Sequence, residues 1–285
     1  MSWLLASVAF FARFLPRGLI LWFYRKPNLA RFFRQVLNRA APSGLRQVTV
    51  AAGALKGFTL LLDLQSEKDY WLGTYEVELQ DALQQLVKPG MIAYDVGANI
   101  GYITLILARL TGENGRVFAF EALPSNGERW QTNLTLNGMK ERSQLFSGAV
   151  TDRQSQVRFL VHASGGMGKV AGSAGREQPY EMEILVPGLS LDEFVFSQGN
   201  PAPQIIKLDI EGGEVLALPG MRRLLLDEHP ILLMELHGQE SSRVGWQMLS
   251  EMNYKICWMR PGFPKVPALE DLDWKAYLVA LPEVE

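Results

Sequence analysis

One segment of the chain combines residue types and spacing that suit the binding of a charged small molecule. Residues 94–104 have the sequence YDVGANIGYIT, in which an apolar stretch precedes a glycine-containing turn and a helical stretch. Gly97 and Gly101 allow the backbone of such a turn to approach a ligand closely. The carboxylate of Asp95 precedes the turn, and it would repel a pyrophosphate but attract an ammonium group. The segment therefore predicts a ligand that carries an amine.

Two further strand ends offer groups that complement a nucleoside. Glu121 ends the next apolar stretch, where a carboxylate accepts hydrogen bonds from ribose hydroxyls, and Ala149 and Val150 end the third, where backbone groups can contact adenine. An amine, a ribose and a base in this chain order describe S-adenosylmethionine, because open α/β sheets bind ligands at the carboxyl ends of their strands. The predicted binding residues of these segments are Asp95, Gly97, Ala98, Asn99, Gly101, Tyr102, Glu121, Ala149 and Val150.

Candidates for the reacting end of this site lie further along the chain. Lys207, Asp209 and Glu211 share one side of an extended segment, and His237 ends the next apolar stretch. Methyl transfer to a hydroxyl benefits from a base within hydrogen-bond reach, and the unperturbed pKa of a histidine, ~6.5, suits that role. We predict that these four residues are catalytic. An ion pair between Lys207 and Asp209 and a structural role for His237 are the alternatives.

The elements that must position these residues alternate along the chain. Apolar strands are predicted at residues 91–95, 116–120, 145–150, 156–161, 205–208, 231–236, 254–258 and 276–281, and helices at 100–110, 125–137, 213–226 and 241–252. Such alternation predicts an α/β domain over residues 91–285, with a doubly wound, mainly parallel sheet. With the S-adenosylmethionine site predicted at its strand ends, the expected fold is class I methyltransferase-like. Residues 46–90 are predicted to form a hairpin and a helix that lead into this domain.

The N-terminal part of the chain differs in charge from the rest. Residues 1–62 contain nine Lys or Arg and no acid, whereas the remainder contains 19 basic and 30 acidic residues, a net charge of −11. Such an acidic body disfavours nucleic acid as a partner. Residues 1–45 are predicted to form a basic helical arm whose apolar stretches are too short for a membrane span, which needs ~20 residues. The arm binds a membrane surface through residues 1–40, caps the domain or a dimer partner, or is a cleaved targeting peptide.

Cysteine usage limits the remaining possibilities. Cys257 is the only cysteine, which excludes an intramolecular disulfide and a cysteine-based zinc site. A single thiol suits a reducing compartment, so we expect a cytoplasmic protein, peripheral at the membrane if the arm binds there. A homodimer is compatible with the capping alternative for the arm.

Several motifs between residues 73 and 240 resemble those of the FkbM family of S-adenosylmethionine-dependent methyltransferases. They are GTYE at 73–76, the segment 94–104, FEALP at 120–124, residues 133–138, KLDIEGGE at 207–214 and ELH at 235–237. Ala122 and Gly213 depart from the residues usual in that family. Glu76, in the first motif, completes the predicted cofactor-binding residues. The resemblance implies O-methylation of sugars, lipids or polyketide-type products, and it does not extend to the arm.

These observations predict an O-methyltransferase whose acceptor is a hydroxyl of a sugar, a glycolipid or a related metabolite. A metal-assisted methyltransferase, with Asp209, Glu235 and His237 around a divalent cation, is the second hypothesis. No metal ligand is predicted, because nothing in the spacing requires one. A nicotinamide-dependent dehydrogenase is disfavoured because Asn99 replaces the middle glycine of its fingerprint. A non-catalytic, membrane-tethered scaffold that binds S-adenosylmethionine is disfavoured because it would not need the charged residues of 207–211 or His237.

Overall fold

The computed structural model describes residues 43–162, 168–177 and 179–283, so most of the predicted N-terminal arm lies outside the described residues. The strands are β1 (Leu45–Thr49), β2 (Thr59–Asp63), β3 (Ile92–Val96), β4 (Arg116–Glu121), β5 (Ser143–Ser147), β6 (Ala149–Val150), β7 (Ser155–Val161), β8 (Lys169–Val170), β9 (Met182–Leu189), β10 (Ile205–Leu208), β11 (Ile231–His237), β12 (Tyr254–Trp258) and β13 (Lys275–Pro282). The α-helices are α1 (Lys68–Leu72), α2 (Val77–Leu86), α3 (Tyr102–Thr111), α4 (Pro124–Leu136), α5 (Glu214–Ala217), α6 (Arg222–Asp227) and α7 (Gly238–Glu251).

The central sheet has seven strands in the order β12-β13-β11-β10-β3-β4-β5. The neighbours from β11 through β10, β3 and β4 to β5 are parallel, and β13 runs antiparallel between β11 and β12. Strand order reverses between β3 and β10, which creates the switch point at which doubly wound sheets bind ligands. The predicted α/β, doubly wound, mainly parallel fold is thereby confirmed.

Helices cover both faces of this sheet because successive side chains of a strand point to opposite faces. Ala93 of β3 packs in an apolar cluster with residues of α2, α3 and α4. Its neighbour Tyr94 packs in a second cluster with residues of α5, α6 and α7. Burial on both faces explains why the central strands are continuous apolar runs in the sequence.

Two predicted elements differ from the observed ones. The strand predicted at 145–150 is divided, because β6 leaves the central sheet and joins a second one with the order β6-β9-β7-β8. β8 and β9 are additions to the predicted elements. The helix predicted at 213–226 is α5, a 3-10 turn at Leu218–Met221 and α6. Pro219 lacks the N–H that a continuous helix requires there.

The antiparallel hairpin of β1 and β2 is attached to the domain by amide side chains of α4 and its end. The Leu61 N–H donates to Asn133 Oδ1 at 2.7 Å, and Asn133 Nδ2 donates to the Ile100 carbonyl oxygen at 2.8 Å. Asn137 exchanges two hydrogen bonds with the backbone of Thr59, at 2.9 and 2.7 Å. The two asparagine side chains therefore satisfy backbone hydrogen bonds of β2 that a neighbouring strand would otherwise make.

The segment after the hairpin crosses the chain at a point that only glycine allows. Gly73 has φ +70°, and a Cβ there would lie 2.0 Å from the carbonyl oxygen of Ala52. The Ala51 N–H donates to the Trp71 carbonyl oxygen at 2.8 Å beside this crossing. The crossing turns the chain so that residue 76 reaches the carboxyl ends of the central strands.

The division of the chain into an arm at 1–45, a leading segment at 46–90 and a domain at 91–285 stays a prediction. Among the helices of the described residues, none is long and apolar enough to cross a membrane. Membrane contact through residues 1–40 and a homodimer also stay predictions.

We expect Asn133→Ala to lower the free energy of unfolding by about 2 kcal/mol or more. Asn133 is fully buried, and its removal leaves the Leu61 N–H and the Ile100 carbonyl oxygen without their partners. Urea unfolding at equilibrium measures the change. Thr135→Ala, which removes an exposed hydroxyl from the same helix, is the matched control and should stay within about 0.5 kcal/mol of wild type. Equal effects of the two variants would show that the amide does not hold the hairpin.

Candidate active site

A cavity of about 410 Å³ lies at the carboxyl ends of the central strands. Its volume falls within the range of small-molecule sites. The sequence-predicted residues that line it are Glu76, Gly97, Asn99, Glu121, Ala149, Val150, Asp209 and Glu211. The predicted residues outside its lining are Asp95, Ala98, Gly101, Tyr102, Lys207 and His237. The structure therefore brings the first set together around one space and places the second set behind it.

One end of the cavity is built around the carboxylate of Glu121, the last residue of β4. Its Oε2 accepts the Asn99 N–H at 2.8 Å, and its Oε1 accepts the Leu123 N–H at 2.8 Å. Burial raises the pKa of Glu121, while these hydrogen bonds oppose that rise. The two amides fix the direction of the carboxylate, and its remaining lone pairs are available to hydroxyl groups in the cavity.

Apolar side chains from two sheets form the wall beside Glu121. Phe120 of β4 and Val150 of β6 line the cavity together with Phe159 of β7 and Val170 of β8. Phe159 and Val170 belong to an apolar cluster of the second sheet. A flat heterocycle is the ligand group that such a wall suits.

The turn after β3 packs directly against the end of β10. Gly97 has φ +78°, and a Cβ there would lie 2.0 Å from the carbonyl oxygen of Asp209. The N–H groups of Gly97 and Ala98 both donate to the Phe120 carbonyl oxygen at 3.0 Å. Gly101 precedes α3 and packs against Trp130 on the side away from the cavity. The glycines therefore set the path of the turn, and Gly97 and Asn99 lie at the cavity wall.

The ammonium group of Lys207 lies beneath this turn, and only 4% of the residue is exposed. Its Nζ donates to the carbonyl oxygens of Val96 and Gly97 at 3.2 and 2.8 Å. It also lies 3.6 Å from Asp95 Oδ1 and 3.8 Å from Asp209 Oδ2. Burial lowers the pKa of Lys207, but the two carboxylates raise it by a larger amount. The net shift is upward, so the amine stays charged.

Asp95 faces the interior of the protein and not the cavity. The register of β3 and β10 pairs it with Lys207, and its Oδ2 accepts the Thr104 hydroxyl at 2.6 Å. Thr104 in turn accepts the Trp130 indole N–H at 2.9 Å. Asp95 is 0% exposed. This placement differs from the expected direct contact with a ligand amine, because strand pairing aims the carboxylate at Lys207.

The other end of the cavity holds three carboxylates close together. Oxygen atoms of Glu76, Asp209 and Glu235 lie within 4.8 Å of one another, and Lys275 forms an ion pair with Glu235. Burial raises the pKa of Glu76 and raises that of Asp209 well above its ordinary value, with Lys207 opposing both shifts. Burial also disfavours ionised Glu235, but its ion pairs with His237 and Lys275 outweigh that effect and lower its pKa. This end of the cavity suits a positively charged ligand group.

His237 lies between carboxylates on both sides of its ring. Its Nδ1 is 3.3 Å from Glu214 Oε1, and its Nε2 is 2.7 Å from Glu235 Oε1 and 3.5 Å from Glu211 Oε2. Burial lowers the pKa of His237, but these partners raise it to about 10. At neutral pH the ring is an imidazolium with no lone pair for a proton. The unperturbed value assumed from the sequence is therefore corrected, because the fold surrounds the ring with acids.

Two groups of side chains have the geometry of cation ligands, and protein cations already balance part of the charge of each. One consists of Asp209, Glu211 and His237, and the other of Glu76, Asp209 and Glu235. His237 would have to lose its proton to bind a metal. In the second group Lys275 forms an ion pair with Glu235, and Lys207 forms one with Asp209. A divalent cation would have to displace these groups, and the metal-assisted hypothesis stays a prediction.

Several cavity residues were not predicted from the sequence. They are Tyr70, Tyr75, Asn126, Phe159, Val170 and Lys275. Tyr70 and Tyr75 stack at 4.3 Å between ring centroids and come from the segment that crosses at Gly73. Phe159 and Val170 come from the second sheet. The only sequence signal for any of them is the position of Tyr75 directly before Glu76.

The chain matches a known family over its central part. A family model described as the methyltransferase FkbM domain matches residues 95–260, which is more than half of the chain. The chain belongs to the FkbM methyltransferase family. The family expected from the sequence motifs is thereby confirmed, and the protein is an S-adenosylmethionine-dependent methyltransferase.

Individual relatives of this methyltransferase are distant. Hexuronic acid methyltransferase AglP of Haloferax volcanii is 25% identical over 205 residues, 69% of this chain and 78% of that protein. A protein-L-isoaspartate O-methyltransferase of Aeropyrum pernix is 28% identical over 160 residues, 56% of each chain. A crystal structure of methyltransferase FkbM from Methylobacillus flagellatus is similar with a TM-score of 0.42 and 18% identity, covering 78% of this chain and 56% of that one.

We expect Lys207→Met to lower the free energy of unfolding by about 3–5 kcal/mol at pH 8, because it leaves the buried carboxylates of Asp95 and Asp209 without their cation. The loss should shrink as the pH falls, since the unpaired carboxyl groups then take up protons. Chemical unfolding at several pH values measures both effects.

A second variant keeps this test decisive. Lys207→Met combined with Asp209→Asn should recover part of the stability, because it removes one unpaired charge. Lys255→Met, on strand β12 and away from the cavity, is the control and should show no such pH dependence. If the loss in Lys207→Met is the same at pH 5 and pH 8, the ammonium does not balance these acids.

We expect the ring of His237 to stay protonated through pH 8, since its pKa is raised to about 10. A raised pKa stabilises the folded protein fully below the unfolded value of ~6.5, and this stabilisation is lost as the pH rises through about 10. Histidine ring NMR measures the titration, with His162→Asn and His229→Asn variants to assign the signals. A midpoint for His237 near 6.5 would contradict the contacts described above.

Proposed function

We propose that this methyltransferase transfers a methyl group from S-adenosylmethionine to a hydroxyl oxygen of a sugar or sugar-containing acceptor. The observation that supports it most is the polarity of the cavity at the strand ends. One end offers the Glu121 carboxylate beside an apolar wall, and the other offers the carboxylates of Glu76, Asp209 and Glu235. A nucleoside and a positively charged sulfonium are the two halves of this cofactor.

The residues that line the cavity fit the cofactor group by group. Glu121 would bind the ribose hydroxyls, and Ala149 and Val150 would contact the base, as the strand ends predicted. Glu76 and Asp209 would lie near the positive charges. Asp95 would act at a distance, by holding Lys207 under the turn that contains Gly97. When bound, S-adenosylmethionine supplies a methyl group already activated by its sulfonium, so the protein chiefly positions the acceptor.

Asp209 is the proposed proton acceptor for the hydroxyl. It lines the cavity, and burial raises its pKa well above the ordinary value, which makes the ionised form a better base. Lys207 keeps Asp209 in place and limits that rise. His237, as an imidazolium, cannot take the proton but can hold Glu211 and Glu235 at the cavity. The proposed roles of Lys207, Glu211 and His237 are therefore in positioning and charge balance.

A sugar acceptor has support from one relative. The hexuronic acid methyltransferase of Haloferax volcanii shares 25% identity with this chain over 78% of its own length. The motifs at residues 207–214 and 235–237, which carry the resemblance to the family, are the same ones that supply the reacting end. A sugar, a glycolipid or a related metabolite with a free hydroxyl is accordingly the proposed class of acceptor.

Methyl-labelled S-adenosylmethionine tests the proposal directly. The protein is incubated with the labelled cofactor and a panel of glycosides and glycolipids, and the product is identified by mass spectrometry. We expect label on an oxygen of the sugar, with turnover unaffected by a chelator. Loss of activity with the chelator and its recovery with magnesium would favour the metal-assisted mechanism. Label only on non-sugar acceptors would contradict the acceptor class.

Glu121→Gln should weaken the binding of S-adenosylhomocysteine about ten-fold or more, because it removes a charge-assisted hydrogen bond to the ribose. Calorimetry measures the dissociation constant. Glu128→Gln is the matched control, since Glu128 is exposed on α4 and does not line the cavity, and it should bind like wild type. Unchanged affinity in Glu121→Gln would place the nucleoside elsewhere.

A further inference from the structure

A loop from the second sheet passes over the reacting end of the cavity. The Ala174 N–H donates to the Gly212 carbonyl oxygen at 3.0 Å. A Cβ on Gly175 would lie only 2.6 Å from the carbonyl oxygen of Glu211, which lines the cavity. These contacts fix the loop against the segment that follows β10, and Arg176 follows Gly175 directly in the chain.

Arg176 stacks on an aromatic ring. Its guanidinium carbon lies 4.8 Å from the centroid of the Trp274 ring, and 40% of Trp274 is exposed. The Trp274 ring also meets the His237 ring edge to face, with centroids 6.2 Å apart. Trp274 directly precedes Lys275, whose side chain lines the cavity. An exposed indole and a cation therefore stand together at the mouth of the site.

The guanidinium of Arg176 is available to a ligand. In the part of the chain that the structure describes, the arginines in ion pairs are Arg129, Arg153, Arg158, Arg222 and Arg223. Arg176 is exposed and has the Trp274 ring as its side-chain partner instead of a carboxylate. Residues 63–285 have a net charge of −11 and therefore repel anions in general. The exposed Arg176 guanidinium provides a local positive charge to which an anion can bind.

We propose that Arg176 and Trp274 form an acceptor subsite for an acidic sugar, with the sugar ring against the indole and its carboxylate on the guanidinium. This inference rests on the proposed function for the presence of a sugar. The planar fork of an arginine matches a carboxylate with two parallel hydrogen bonds, and an indole face provides apolar area for a ring. With the acid held at the rim, the hydroxyls of the same sugar point toward Asp209 and Glu211. The subsite thus selects acceptors by charge outside the reacting centre.

A pair of glycosides that differ in one group tests the subsite by binding. Full-length protein saturated with S-adenosylhomocysteine is titrated with p-nitrophenyl β-D-glucuronide and with p-nitrophenyl β-D-glucoside. We expect the wild type to bind the glucuronide about ten-fold more tightly, the value of one charge-assisted hydrogen bond. Arg176→Gln should abolish this preference and leave glucoside binding unchanged, whereas Trp274→Ala should weaken both ligands. Equal binding of the two glycosides by wild type would overturn the proposal.

A matched variant separates the subsite from a general charge effect. Arg260 stacks at the same 4.8 Å on Trp258, the last residue of the edge strand β12, and neither residue lines the cavity. Arg260→Gln also removes one positive charge, and this variant should keep the preference for the glucuronide. Loss of that preference in Arg260→Gln would overturn the proposal.

Turnover with the same glycosides distinguishes this proposal from the proposed function. Arg176→Gln should raise the KM for the glucuronide and leave kcat within about two-fold of wild type, because the contact is remote from the reacting atoms. Selective glucuronide binding without methylation of either glycoside would contradict the sugar hydroxyl as acceptor and leave the subsite established. Methylation of both glycosides with equal KM would contradict the subsite and leave the proposed function intact.

Discussion

The ammonium group of Lys207 is the interaction on which the rest of the site depends. It is almost completely buried, and it contacts the two strands that border the switch point of the sheet. The carbonyl oxygens of Val96 and Gly97, at the end of β3, accept hydrogen bonds from it, and the carboxylates of Asp95 and Asp209 flank it. A buried charge of this kind is tolerated only where all of its partners are present. The same set of contacts therefore fixes the turn and holds the proposed proton acceptor.

The excess of acid around the cavity explains the unusual state of its other cations. Lys275 is paired with Glu235, and His237 is surrounded by Glu211, Glu214 and Glu235. Each of these cations offsets part of the repulsion between neighbouring carboxylates. Glu76 and Asp209 still have raised pKa values, so the balance is incomplete in the protein alone. A ligand with a positive charge would complete it.

The sequence allowed the fold to be predicted, and it named several residues that the structure brings together around one cavity, because both follow local rules. Strand and helix alternate with clear periods, and Gly97, Asn99 and Glu121 follow directly after apolar stretches. The direction of a side chain at a strand end depends on its neighbour strand instead. Asp95 was therefore expected to face a ligand but faces Lys207. The pKa of His237 was misjudged for the same reason, since its acidic neighbours come from distant segments.

The second sheet has a consequence for how this architecture can diversify. The first and last strands of this sheet along the chain, β6 and β9, pair with each other in parallel. Ala149 lies opposite Gly188, and Val150 lies opposite Leu189. The chain between them is thus a closed excursion whose entry and exit are adjacent. Insertions and deletions within such an excursion are tolerated because they leave the parent sheet undisturbed. Changes within this one contiguous excursion can therefore reshape the part of the cavity wall that Phe159 and Val170 form, while the seven-stranded sheet keeps its strand order.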